Sequence, residues 1–246
     1  AEAVAPLLGY YYAIQTQGML MVAEANNFEA WMAAGSPTST PADIQDLSDT
    51  ICGTPVDSTV AAFCNSADWV VLGEDGLARC AWGAADPEYR RYHDEEWGRP
   101  QHDPVRLYEK LCLEGFQAGL SWITILRRRP AFREVFHDFA PERVAEMHEA
   151  DVERLLADAR IIRHRGKIEA TISNARAVLA LDEPLDRFLW RFAPPRRGRA
   201  PRSFAEVPAV TTESTAMSRA LRSHGFRFVG PTTMYALMQA TGMVDD

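Results

Sequence analysis

From Arg79 to its end the chain carries helix punctuation and no sustained strand alternation, which restricts its second unit to an all-α fold. Asp103-Pro104 reads as a cap followed by proline at the first helical position. The helix it starts places Leu107, Leu111, Glu114 and Ala118 on one stripe, at spacings of four, three and four. Ser121 reads as the cap of a second helix, Trp122 to Arg129, expected to end before Pro130. Further helices fit 130–137, 141–149, 151–158, 165–181, 184–192, 214–224 and 231–241, with a proline- and arginine-rich loop over 193–210.

Charge divides the chain. All 26 Lys and Arg lie at or after Arg79, whereas residues 1–78 hold ten Asp and Glu and no base. The first part therefore carries -10 and the rest +2, a contrast hidden in the overall -8. This predicts two units: an acidic helical segment over 1–76 and a larger domain over 77–246, with Gly73-Glu74-Asp75-Gly76 as linker. In the first unit, Leu7 to Ala34 is a helix candidate and Thr40-Pro41 starts another; its role is unassigned, an appended module or flanking sequence. The balanced charge of the second unit keeps nucleic acid open as a partner. No apolar run approaches the roughly 18 residues of a membrane span, and no signal-peptide pattern follows Ala1, so a cytoplasmic protein is expected.

Several residues have chemical potential. Glu114 lies on an apolar stripe, where a carboxylate either finds an arginine, reaches the rim, or stands at the floor of a pocket facing a polar or cationic ligand. Trp82, Tyr89, Tyr92, Trp97 and Trp122 crowd into 41 residues, as core rings or as the stacking surfaces of a nucleobase pocket. Cys80 and His93 are zinc-ligand types, although a structural site needs about four. Cys52 and Cys64 both fall in the acidic segment and could pair; Cys112 reads as core. Gly225-Phe226-Arg227-Phe228-Val229-Gly230 joins two helices, and the helix after it offers free N–H groups to an anion such as a DNA phosphate. Arg163-His164-Arg165-Gly166-Lys167 is either a phosphate contact or a solvated basic loop.

Four strings carry a resemblance: RCAWGAADPEYRRYHDEEWGRP, LYEKLCLEGFQAGLSWITIL, DARIIRHRGKIEATISNARA and SRALRSHGFRFVGPTTMYALMQATGMV. From about Leu77 to Asp246 the chain resembles the bacterial 3-methyladenine DNA glycosylase I family; residues 1–76 do not. The resemblance implies an all-α fold of the helix-hairpin-helix glycosylase superfamily. It implies that Glu114 hydrogen-bonds the flipped base, that Tyr92 and Trp122 touch it, and that Tyr89, Trp82 and Trp97 line the cleft. Leu120 would fill the gap left in the duplex. Arg163, Arg165, Lys167, Gly225, Arg227 and Gly230 are the expected DNA contacts. Cys80 and His93 match two of four zinc ligands; the family's other two, a His and a Cys, follow the stretch matching Met243 to Asp246, so the site is expected to be half present.

The implied activity is release of 3-methyladenine from alkylated double-stranded DNA by a monomer. The methylated base is cationic in the nucleotide and leaves readily, so binding and orientation suffice. The hairpin lacks a lysine, which predicts glycosylase action without strand cleavage. The alternatives are a non-catalytic DNA-binding module with a degenerate metal site, or a small-molecule binder using the aromatic pocket.

Overall fold

The computed structural model describes residues 70–195, 201 and 206–245. The expected helices of the acidic segment and the Cys52–Cys64 pairing lie outside the described residues.

The described chain opens on a hairpin. Strand β1 (Val70–Leu72) pairs antiparallel with β2 (Ala78–Cys80), Val71 facing Arg79. The Gly76 N–H donates to the Gly73 carbonyl, and Gly76 sits at φ 75°, where a side chain would be strained. The stretch expected as a linker is therefore a turn, and a boundary after residue 76 would cut the hairpin. Glycine and aspartate serve linkers and turns alike, so composition does not separate the two. The guanidinium of Arg79, only 4% exposed, bridges Asp75 and Asp94 and fastens the hairpin to the helices.

Helices follow: α1 (Ala81–Ala84), α2 (Pro87–Glu95) and α3 (Pro104–Gln117). Asp103 caps α3 as expected, its carboxylate accepting from the Val105 and Arg106 N–H groups. Helix α3 is the axis of the domain, with every residue from Leu107 to Gln117 buried. That is far more than one stripe, because α4 (Trp122–Val135), α7 (Arg165–Leu179), α8 (Leu185–Trp190) and α10 (Pro231–Ala240) all pack on it.

Helix α4 corrects a second expectation by running through Pro130 instead of ending before it. An interior proline costs about 3 kcal/mol. Buried Ile125 and Leu126 before it, and Phe132 and Val135 after it, hold both halves against the core and offset that cost. Beyond α4 the backbone turns left-handed at His137, Asp138 and Phe139, pinned by the fully buried rings of Phe136 and Phe139. The remaining helices are α5 (Pro141–Ala145), which stops four residues short of the expected 149, and α6 (Glu149–Ala157) and α9 (Thr212–Ser223), both within two residues of the expected spans. Helix α7 packs on α5 and α6, and α9 on α10.

Lys167 departs from its expected role as a phosphate contact. It is 7% exposed, and its Nζ donates to the carbonyls of Phe116 at 2.8 Å and Ala118 at 2.5 Å. These are among the open acceptors at the end of α3, so the ammonium acts as a remote cap. Lys167→Met keeps the stem but strands both carbonyls. It is expected to lower the unfolding free energy by about 2 kcal/mol, seen as a reduced urea midpoint at unchanged slope.

Candidate active site

Helices α1, α2 and α4 bring four aromatic rings together. Trp82 lies 5.4 Å from Tyr89 and 6.3 Å from Tyr92, and Tyr92 lies 5.5 Å from Trp122, between ring centroids. The local cause is legible: Asp86 caps α2, accepting from the Glu88 and Tyr89 N–H groups, and Tyr89 and Tyr92 then share one face three residues apart. The Ile123 N–H, in the first turn of α4, donates to Tyr89 Oη at 3.0 Å and docks the two helices. Tyr89, Tyr92 and Trp122 are all buried.

The hydrogen bonds of this cluster do not close. Tyr89 Oη accepts from Ile123 and Tyr92 Oη accepts from Lys110, yet neither hydroxyl donates to a described residue. Trp122 Nε1 is buried with no partner among the described residues. An unsatisfied buried donor costs about 1–3 kcal/mol, so three uncommitted donors in one place call for an acceptor from outside.

Glu114 supplies the opposite polarity. It projects from α3, is 4% exposed, and acts electrostatically on both Tyr89 and Tyr92. Among the described residues no cation pairs with it within 4.0 Å, so it has neither the arginine partner nor the rim position that would make it ordinary. Burial pushes its carboxyl up to about 7, and Lys110 only partly opposes this. The Lys110 ammonium instead pairs with Glu96 at 2.8 Å, and Arg129 grips the same carboxylate. Burial works against Glu96 ionisation, but the two cations hold its carboxyl down at about 2. The sequence reading missed Lys110, Glu96 and Arg129. Lys110 and Glu114, four apart on a helix, look like an exposed ion pair, which conceals a buried lysine paired to Glu96 instead.

Trp97 lies behind Trp82, at 5.2 Å, and stacks on His93. With His93, Gly98, Gln239, Val244 and Asp245 it lines a separate cavity of about 250 Å³. Cys80 and His93 are adjacent, but His93 Nε2 accepts from the Cys80 backbone N–H and Nδ1 contacts Asp94 at 2.9 Å. Both ring nitrogens are thus engaged, burial raises the Cys80 thiol, and among the described residues no third donor joins them. The donor set as arranged does not fit a structural zinc, which needs about four ligands.

A second face gathers the expected DNA contacts. Leu120 is half-buried in the loop between α3 and α4, after Gly119 at φ 83°. Lys167 ties that loop to the start of α7. The Gly225–Gly230 turn joins α9 to α10, with Gly225 at φ 84° and Gly230 as the cap residue of α10. Asn174 on α7 holds this turn, its side chain bonding both the N–H and the carbonyl of Arg227. Arg163 is exposed, with no carboxylate within 4.0 Å among the described residues. Arg165 already pairs with Glu149 and Glu153, and Arg227 lies 3.7 Å from Glu169.

Comparison with known proteins identifies the family. Residues 82–246 match the family described as methyladenine glycosylase. The chain is 51% identical over 175 residues to DNA-3-methyladenine glycosylase 1 of Escherichia coli (strain K12), covering 69% of this chain and 93% of that protein. It is 45% identical over 173 residues to DNA-3-methyladenine glycosylase of Haemophilus influenzae, covering 68% and 93%. A crystal structure of 3-methyladenine DNA glycosylase I superposes with a TM-score of 0.66 at 51% identity, covering 68% of this chain and 94% of that one. The Staphylococcus aureus enzyme, described for its recognition of 3-methyladenine, superposes at 0.64 with 37% identity, over 68% and 91%. With two thirds of its length matched and the site's aromatic and acidic residues inside the match, the chain belongs to the methyladenine glycosylase family.

Proposed function

We propose that this protein is a DNA-3-methyladenine glycosylase of base excision repair, a cytoplasmic monomer that hydrolyses the N-glycosidic bond of 3-methyladenine in double-stranded DNA. The observation that carries this reading is the buried Glu114, with no cation paired to it among the described residues, acting on Tyr89 and Tyr92, whose uncommitted hydroxyl donors share one ring cluster with that of Trp122 Nε1. A methylated purine offers both ring acceptors and an amino donor, the complement of that set. A non-catalytic DNA-binding module would have no use for a carboxylate held unpaired at such cost.

The chemistry asks little of the protein. The C1′–N9 bond breaks, its electron pair passes into the base and neutralises the cation, and water delivers hydroxide to C1′ and a proton to solvent. The rings of Tyr92 and Trp122 hold the flipped base, Glu114 accepts from its amino group, and Leu120 occupies the space left in the duplex. The Gly225–Gly230 turn serves as the hairpin of a helix-hairpin-helix, its amides at the start of α10 meeting a phosphate with Arg163 nearby.

A lyase needs a free amine. The chain has two lysines; Lys110 is locked to Glu96 and Tyr92, and Lys167 to two carbonyls. Methylated duplex incubated with the protein should release free 3-methyladenine and keep its strands intact. Borohydride should trap no covalent protein–DNA adduct, and a trapped adduct would overturn the assignment.

Glu114→Gln tests the pocket on two axes. Replacing a charged acceptor with an amide should weaken binding of free 3-methyladenine about tenfold or more, measured calorimetrically. Stability should move the other way. Below an ordinary carboxyl value of 4.5 both folded and unfolded chains are protonated, so Glu114 costs nothing. As pH rises from 4.5 towards 7 the unfolded chain ionises first and stability falls, by an amount on the order of 3 kcal/mol, then levels off. The variant should lack this decline and be the more stable protein at pH 8 in urea unfolding.

A further inference from the structure

The reading above gives the buried cation beneath the rings no role towards the base. Lys110 is 6% exposed, its Nζ lies 2.8 Å from Glu96 Oε1 and 2.8 Å from Tyr92 Oη, and it stands 4.4 Å from the Tyr92 ring centroid and 5.5 Å from that of Trp122. We propose that Lys110 is a positioning and specificity-determining residue: it fixes the Tyr92 hydroxyl as a hydrogen-bond donor to the bound base, so the pocket accepts only a base that presents an acceptor at that edge.

The argument is one of hydrogen-bond polarity. An ammonium has three donors and no lone pair. Glu96, itself gripped by Arg129, keeps Lys110 charged in a buried position. Tyr92 Oη must therefore accept from Lys110, and its own proton turns elsewhere. No described residue receives that proton. A lone tyrosine hydroxyl would be ambivalent, donating to a ring nitrogen or accepting from an amino group; this one is committed. Contact with the faces of both rings also holds the ammonium in line, so the hydroxyl is oriented before the base arrives. A base turning an amino group towards Tyr92 would meet donor against donor and leave two buried groups unsatisfied, which is how a polar site rejects a near-isostere.

This inference rests on Tyr92 touching the base, and the test separates the two claims. Tyr92→Phe, Lys110→Met and the double variant are compared for binding of free 3-methyladenine and for kcat/KM of excision from methylated duplex. Tyr92→Phe and Lys110→Met should each lower both by about tenfold, the value of one charge-linked hydrogen bond. In the Tyr92→Phe background, Lys110→Met should then add nothing, because its route to the base is already cut. A merely structural lysine would give losses that multiply, and that outcome overturns the proposal. So does Lys110→Met at wild-type level when Tyr92→Phe is impaired. If Tyr92→Phe itself is silent, the base-pocket reading falls with it. Should Lys110→Met fail to fold, Lys110→Gln serves instead: its amide oxygen can accept the tyrosine proton, so the same loss and the same non-additivity are expected.

Discussion

The site depends on one unfavourable act, the burial of the Glu114 carboxylate with no counter-ion among the described residues. Helix α3 makes it possible. The helix is buried on all sides over Leu107 to Gln117, so whatever it carries is desolvated. Most of what it carries is apolar or paired. Cys112, buried against α7, is pushed up to about 12 by desolvation and stays a thiol. Glu109 binds Arg106 and Arg133. Glu114 alone of these faces uncommitted donors, and a site that binds a polar base must leave such groups unsatisfied until the base comes.

The ionic arrangement beneath the rings follows from the same constraint. A cation paired to Glu114 would hold it permanently ionised and occupied. Lys110 is close enough to pull the Glu114 carboxyl downwards, yet its ammonium pairs with Glu96, the carboxylate that Arg129 also grips. The triad thus leaves the carboxylate open while giving Tyr92 a fixed polarity. Buried ion pairs seldom add much stability, and their better-attested use is to specify one arrangement over another. That use suits a pocket whose task is to tell one base edge from another.

The extent to which this was readable in the sequence depends on the range of each interaction. Caps are local, so Asp103-Pro104 predicts the start of α3 correctly. The all-α reading holds over most of the described residues because helical periodicity is repeated many times. Pro130 misleads because the forces that carry α4 through it are tertiary. The Gly73–Gly76 turn is mistaken for a linker because its identity depends on a pairing between β1 and β2. Glu114 was found through its conflict with its own stripe. Lys167 was misplaced because its partners, Phe116 and Ala118, are some 50 residues away in sequence, and a basic run near a helix start looks solvated. His93 reads as a zinc-ligand type; the Cys80 N–H at the end of β2 engages its Nε2, a contact set by tertiary packing, while Asp94, the next residue, engages Nδ1.

Lys167 also explains how the two faces of the site stay in register. The carbonyls it caps lie at the end of α3 and in the loop that leads to Leu120, while its own backbone begins α7. Asn174, two turns further along α7, holds the Gly225–Gly230 turn through both polar groups of Arg227. In that turn Phe228 adopts φ 57°, a conformation that disfavours a bulky residue, and packs against Gly115 of α3 and Gly166 of α7. A Cβ on Gly115 would come within 3.2 Å of the Phe228 Cβ, a tight contact that glycine avoids. Helix α7 is therefore a rigid spacer. It sets the Leu120 loop and the Gly225–Gly230 turn at fixed distances from Glu114, and on the proposed function that spacing, from backbone grip to base pocket, is the quantity a base-flipping enzyme has to hold constant.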